Sequence, residues 1–258
     1  SLFDRLRRYI REERAVCLAT IISGPAHVGA KMIVHRDGSV EGGFADVCLQ
    51  APAAAQAVEL LSTGETDSRV LETPEGVFEV FYDSYPIPPT IVIVGAVQTA
   101  QSLTRLAKEL GYTVVVTDAR ATFATAERFP QADRVLKGWP QDVLPGLRMD
   151  ESTYLVLLSH DPKFDEPTLH LALPRPLGYI GAIGSRRTQQ QRRERLLEQG
   201  FDAEAVGRIH GPVGLDLGGK SPEETALSIL AEITAVRHGR TGGMMSQRER
   251  EASLSGSS

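Results

Sequence analysis

Cysteine is nearly absent from this chain: Cys17 and Cys48 are the only two in 258 residues. Two thiols on a chain this long do not make a disulfide framework, so a reducing cytoplasm is the expectation. Long apolar runs are missing too, and none reaches the about 20 residues of a membrane-spanning helix. No apolar core follows the basic, amphipathic opening SLFDRLRRYIREER, which therefore reads as a surface helix rather than a signal peptide. Leu2, Phe3, Leu6, Tyr9 and Ile10 fit one face of that helix, and Asp4, Glu12 and Glu13 dilute its charge, which weighs against membrane binding. Positive charge is not in excess. Against 28 Lys and Arg stand 33 Asp and Glu, a net charge of −5, so bulk basic character offers nothing to nucleic acid. No internal repeat is present. What remains, 41% hydrophobic and 24% charged, is ordinary for a globular protein of two moderate domains.

The run Thr90 to Arg120, TIVIVGAVQTAQSLTRLAKELGYTVVVTDAR, carries the most information. Ile91 to Val94 are four consecutive apolar residues, as expected of a strand buried on both faces. Gly95 breaks it. Leu103, Leu106, Ala107 and Leu110 follow at helical spacing, and Gly111 stops the helix. Tyr112 to Thr117 form a second buried strand that ends at Asp118. This is a βαβ opening of the Rossmann type, with an acid at the distance expected for a ribose contact. The loop departs from the G-x-G-x-x-G fingerprint, reading Gly95-Ala96-Val97-Gln98-Thr99-Ala100. Ala100 is an accepted substitute for the third glycine. Val97 puts a side chain where a pyrophosphate must approach the backbone, which weakens the ordinary NAD signal.

The fold class is α/β, an N-terminal α/β domain followed by a Rossmann-like parallel-sheet domain. In residues 1–85, strands are expected at 15–22, 30–35, 69–72 and 76–82, with a hairpin turn at Arg36-Asp37-Gly38, a short strand in SVEGGF and a helix at 50–62. Pro86, Pro88 and Pro89 mark a linker at 86–89. The second domain, 90–240, continues with a weak helix near 121–126, a short strand at 133–136, a strand from Thr153 to Asp161, and a strand, glycine turn and helix from Leu177 onward. Its best-signalled helix follows Ser221, the N-cap, with Pro222 at the first helical position and Glu224 completing a capping box. Leu227, Leu230, Ala231 and Thr234 supply its face, and Gly239 stops it. Residues 241–258 are polar and rich in glycine and serine, which predicts a disordered tail.

Ligands bind open parallel sheets at the C-terminal strand ends. Four segments should converge there: Gly95 to Ala100, Asp118 to Arg120, Ser159-His160-Asp161, and Gly181 to Arg187. The last joins a flexible turn, a helix start at Ser185 and the guanidinium groups of Arg186 and Arg187, which suits a phosphate. The plainer reading is a helix cap with two solvated arginines. His160 beside Asp161 reads as a general base, a metal ligand or a hydrogen-bonded turn. Gly214 to Ser221 matches the phosphate-loop pattern G-x-x-x-x-G-K-S, but no long buried strand precedes it and Pro222 removes a backbone donor, so a lid or contact loop is expected. In the first domain Cys48 precedes a helix placed to begin around Pro52. A thiol there suits a nucleophile or a soft-metal ligand; the alternative is a small buried hydrophobe. Cys17, between Val16 and Leu18, reads as buried.

These segments together resemble the XdhC/CoxI family of xanthine dehydrogenase accessory proteins, from about Ala15 to Arg237. YIGAIGSRR (Tyr179 to Arg187) and RIHGPVGLDLGGKSPEETALSILAEI (Arg208 to Ile233) are the most specific pieces. SHDPKFD, TDAR and ERFPQAD resemble the family's T-H-D-x-x-x-D, D-D-R and R-F-P-x-A-D. The family's S-G-G-C-V-E is here Ala45-Asp46-Val47-Cys48-Leu49-Gln50, and its G-A-G-H-V-G is GAVQTA. The resemblance implies a chaperone-like accessory protein, often dimeric, that binds molybdenum cofactor and delivers it, matured, to a molybdenum hydroxylase. It implies cofactor contacts from Cys48 to the metal or its sulfur, from Gly184, Ser185, Arg186 and Arg187 to phosphate, and from Asp118 to a ribose or pterin. Gly95, Ala96, Arg120, His160, Asp161 and Asp216 complete the expected cofactor-binding set. The alternative is an NAD(P)-dependent oxidoreductase that uses the Rossmann half directly.

Overall fold

The computed structural model describes residues 1–159 and 161–246. The chain divides into two compact units, Ser1–Ile87 and Pro88–Ser258.

The first unit orders α1 (Leu2–Arg11), β1 (Val16–Ser23), β2 (Lys31–His35), β3 (Val40–Gly42), α2 (Val47–Thr63), β4 (Asp67–Thr73) and β5 (Gly76–Tyr85). The strands make an antiparallel sheet in the order β3-β2-β1-β5-β4. The period of two along β1 decides which face each residue serves. Cys17, Ala19 and Ile21 pack with Met32, Val34, Phe78, Val80 and Tyr82 beneath the Leu49, Ala53, Ala57 and Leu60 stripe of α2. Val16, Leu18 and Ile33 face the other way, against Leu6 and Tyr9 of α1. Phe3 and Ile10, expected on that face, are 57% and 42% exposed. The β2–β3 turn falls at Arg36–Gly38 as expected, closed by the His35 N–H to the Ser39 carbonyl at 2.9 Å. Helix α2 begins earlier than expected. Asp46 is its N-cap, accepting from the Cys48 N–H at 2.7 Å, and Pro52 sits inside the helix.

The second unit orders β6 (Thr90–Val94), α3 (Gln98–Glu109), β7 (Thr113–Asp118), β8 (Arg134–Lys137), α4 (Pro140–Val143), a 3-10 turn at Leu144–Gly146, β9 (Thr153–Leu157), α5 (Pro162–Ala172), β10 (Tyr179–Ala182), α6 (Arg186–Glu198), α7 (Ala203–Gly207), β11 (Ile209–His210) and α8 (Pro222–Arg237). Its parallel sheet runs β11-β10-β9-β6-β7-β8. Counted from β6 as the first strand, that is the dinucleotide-fold order 3-2-1-4-5-6, with its switch point between β6 and β9. Ile91, Ile93, Val114 and Val116 pack under α3 and α8. Val92, Val94, Leu155 and Leu157 pack on the opposite face with Leu169 and Ala172 of α5 and Leu196 of α6.

Three expectations fail here for physical reasons. The 121–126 segment is a set of turns, in which the Arg120 carbonyl accepts from both Phe123 and Ala124 without propagating. The strand expected over Thr153 to Asp161 stops at Leu157, because Asp161 caps α5 by accepting from the Lys163 N–H at 3.0 Å. On α8 the buried stripe is Ala226, Ile229, Leu230 and Ile233, while Leu227 is 51% exposed. Apolar residues occupy two sides of this helix, and the unburied side, with Leu110, Leu215, Ala231 and Thr234, lines an open groove. No helix among the described residues is long and apolar enough to cross a membrane. The expected tail lies, from residue 247 onward, outside the described residues.

Candidate functional site

Each unit carries its own candidate residues. In the second, they gather where the sheet order reverses. The β6 and β9 ends approach so closely that Gly95, at φ +109, is required: a Cβ there would stand 3.0 Å from the Ser159 nitrogen and 3.1 Å from the Leu158 carbonyl carbon. Its N–H donates to the Thr117 carbonyl at 2.9 Å. The next N–H, of Ala96, donates to Asp118 Oδ2 at 2.8 Å. Val97 then starts α3 at φ −86 with no side-chain cap and its side chain against the core.

Asp118 is not open to a ligand. Besides Ala96, it accepts from the Arg120 N–H and Nε at 2.9 Å on Oδ1 and from Arg120 Nη2 at 2.7 Å on Oδ2. Its side chain is 1% exposed and that of Arg120 48%. Burial alone would raise the Asp118 carboxyl; the hydrogen bonds from Arg120 and Ala96 outweigh it and hold the group below the usual carboxylate range. The Asp118 hydrogen bonds hold the Arg120 guanidinium more firmly protonated, with Asp161 adding attraction. That guanidinium also lies 4.5 Å over the Phe123 ring. The expected contact from Asp118 to a ribose or pterin is therefore replaced by an internal one.

Of the other segments, Ser159 accepts from the Asp161 N–H at 3.0 Å, and Asp161 serves as a helix cap. His160 lies outside the described residues. Gly184, at φ +136, opens the turn into α6, where Ser185 caps by accepting from Thr188 at 3.2 Å. Arg186 and Arg187 are exposed on the first turn of α6. The structure thus places a helix start and two guanidinium groups together, and the cap reading of Ser185 holds. Beneath this turn lies an ion pair that sequence reasoning missed, Arg192 to Asp165 at 2.6 Å, with both side chains 5% exposed. Also missed was Glu232 on α8, which accepts from Tyr179 Oη and from the Gly214 N–H and bonds His210 at 3.2 Å. Burial raises the Glu232 carboxyl, and these three donors together bring it below its ordinary value. Burial and the Glu232 contact push the Tyr179 phenol up.

The phosphate-loop look-alike is already spent. Glu224 Oε2 accepts from the Lys220 and Ser221 N–H groups at 3.0 and 3.1 Å, and Ser221 Oγ accepts from the Glu224 N–H at 3.1 Å. The strand before it is β11, two residues long. Asp216 is exposed on this loop.

In the first unit Cys48 is exposed and lies within the first turn of α2, not before the helix. Pro52 has no N–H to offer the Cys48 carbonyl, which is left without its helical donor. Asp46 turns Oδ1 to the Cys48 N–H, while its Oδ2 is buried with no hydrogen-bond partner. The preceding Gly42 and Gly43 take φ +80 and +157, and a Cβ at Gly42 would press the Lys31 carbonyl at 3.0 Å. A soft sulfur and an orphaned carboxylate oxygen thus belong to one helix start. Cys17 is fully buried, and burial pushes its thiol up to about 11. Among the described residues no three His, Cys, Asp or Glu side chains cluster to hold a metal ion.

The description "XdhC Rossmann domain" matches residues 91–233, and "XdhC and CoxI family" matches residues 9–73. The chain belongs to the XdhC and CoxI family. Among its curated relatives is the molybdenum cofactor insertion chaperone PaoD of Escherichia coli, 26% identical over 86% of this chain and 82% of the relative. Another, from Bacillus subtilis, is named as a probable subunit of xanthine dehydrogenase and is 31% identical over 58% of this chain and 43% of the relative. An uncharacterized Escherichia coli protein, YqeB, is 25% identical over 86% of this chain and 43% of its own length. The chain therefore spans less than half the length of the last two. A solved structure titled as a xanthine dehydrogenase, from Bacillus halodurans, shares the fold, with a TM-score of 0.69 and 23% identity over 91% of this chain and 66% of that one.

Proposed function

We propose that this chain is an accessory factor that binds molybdenum cofactor, assists its maturation and hands it to a molybdenum hydroxylase of the xanthine dehydrogenase type. The observation that carries this reading is Cys48. It is exposed on the first turn of α2, beside the unpartnered Asp46 Oδ2. The residues fit the group. A single thiolate is a soft donor for the cofactor's metal or sulfur, and a buried carboxylate oxygen is an acceptor for a pterin N–H. The second unit's own candidates are Gly184, Ser185, Arg186 and Arg187 for a phosphate, with His160, Asp161 and Asp216 as further contacts; Gly95 and Ala96, buried and with their N–H groups given to Thr117 and Asp118, are not among them. When bound, the cofactor supplies the molybdenum centre; the chain holds and orients it and passes it on. The relative named as an insertion chaperone supports the role. The acting unit in this reading is a cytoplasmic homodimer, and the partner is the hydroxylase.

A second reading, an NAD(P)-dependent oxidoreductase, has the 3-2-1-4-5-6 strand order in its favour. The filled Asp118 carboxylate counts against it.

The test is molybdenum per folded protein, for parent and Cys48→Ser purified from molybdenum-replete cells. The variant should retain less at unchanged fold. Equal retention removes Cys48 from the role, and a parent that binds none under any growth condition removes the reading.

A further inference from the structure

A dinucleotide-binding sheet uses an acid at the end of its second strand to accept the ribose hydroxyls. Asp118 stands at that place, the last residue of β7, 22 positions after Ala96. A carboxylate offers about four lone-pair sites. Here the Ala96 N–H and three donors of Arg120 take all four. A ribose hydroxyl would have to reach an oxygen with almost no accessible surface and no spare lone pair. The nicotinamide dinucleotides that the strand order implies therefore do not fit the residues present. The Nε–Nη2 edge of Arg120, which would grip a 2′-phosphate, is the edge turned to Asp118.

We propose that Arg120 is the residue that sets this Rossmann crevice against the ribose of a dinucleotide, by occupying the carboxylate the ribose would use. The pair is only two residues apart in sequence, so it closes within one turn and needs no partner from elsewhere in the fold. Val97 packs its side chain against the core at the place where the fingerprint has its second glycine, so Val97→Gly serves as the background in which the Arg120 effect is read. This inference does not depend on the molybdenum reading, since it concerns what the crevice rejects.

The experiment is calorimetric titration of the full chain with NAD and with NADP, for the parent, Val97→Gly, Val97→Gly with Arg120→Ala, and that pair with Asp118→Asn. Removing Arg120 should tighten NAD binding about tenfold or more relative to Val97→Gly alone, the gain expected of a newly available charged hydrogen bond. Adding Asp118→Asn should abolish the gain. Arg120→Gln, which removes the charge and keeps an amide donor, replaces Arg120→Ala if the latter lowers the melting temperature enough to unfold the sample. Three outcomes overturn the proposal: micromolar binding of NAD or NADP by the parent, equal affinity with and without Arg120, or a gain that survives Asp118→Asn.

Discussion

Arg192 and Asp165 meet at 2.6 Å with both side chains almost wholly buried, tying the first turn of α5 to α6 beneath the Gly184 turn. Arg192 also donates to the Ile183 carbonyl at 3.3 Å and to Gln189. Breaking a buried pair from one side leaves a desolvated charge, which costs more than the pair itself contributes. Arg192→Met should therefore cost about 3–5 kcal/mol in urea unfolding. Arg192→Met with Asp165→Leu should cost clearly less than Arg192→Met alone. If the double variant is the less stable one, the pair is stabilising outright.

The capping box at the start of α8 separates the two readings of the GLDLGGKS loop. Ser221→Ala removes the acceptor for the Glu224 N–H and should cost about 1 kcal/mol. Lys220→Ala should be near neutral, because only its backbone N–H is engaged by Glu224. Thermal melts of the two variants check both. Loss of nucleotide or cofactor binding in Lys220→Ala would restore the loop as a phosphate site.

The βαβ opening was legible because Gly95 and Gly111 punctuate two strands that are almost fully buried, so pattern and structure coincide in β6 and β7; on α3, Leu103 and Ala107 are buried as expected, while Leu110, past the helix end, is 53% exposed. Helix α5 was not legible. Pro162 and Pro167 disguise it, although Asp161-Pro162 is a sound start signal once the strand is allowed to end early. Pro52 has the opposite effect: it suggests a first-turn residue, whereas Asp46 caps the helix six residues earlier and Pro52 lies inside it. On α8, apolar residues on two sides left the buried stripe undetermined by period alone. The motif TDAR marks Asp118 and Arg120 as candidates, but that they consume each other depends on the turn geometry after β7, which no spacing reveals.

The two cysteines should differ in reactivity under native conditions. Cys48 is exposed, while Cys17 is buried, is pushed up by that burial, and accepts from Ser84 Oγ at 3.7 Å. Iodoacetamide should label Cys48 alone in the folded protein, and both only in denaturant, as read by peptide mass. Cys17→Ser should cost about 1–3 kcal/mol for a buried hydroxyl, at the low end because Ser84 is at hand as a partner. Native labelling of Cys17 at a comparable rate would show that the α2 face of the first sheet opens readily.

The Asp118 carboxylate gives the second unit an acid-sensitive element whose sign can be worked out. Burial raises the group, but the Arg120 and Ala96 hydrogen bonds win, so the folded value lies below the unfolded one of about 3.9. Stability from this source is thus fully present above about pH 4 and is lost as pH falls through the folded value. Asp118→Asn cannot present two acceptor oxygens to the Arg120 fork, and its amide sets donors against donors. At pH 7 it should be less stable than the parent by about 1–3 kcal/mol, the cost of a charged hydrogen-bond set broken at a buried site. The gap should narrow as pH falls through the folded value, because the parent's own carboxyl is then protonated and loses the same fork. Urea unfolding at pH 7, 5 and 3 measures it. Glu232, also held low, remains in both proteins and so cancels in the comparison. A gap that stays constant from pH 7 down to the acid limit would mean that the asparagine acts through packing, and that the charge on Asp118 contributes nothing to the fold.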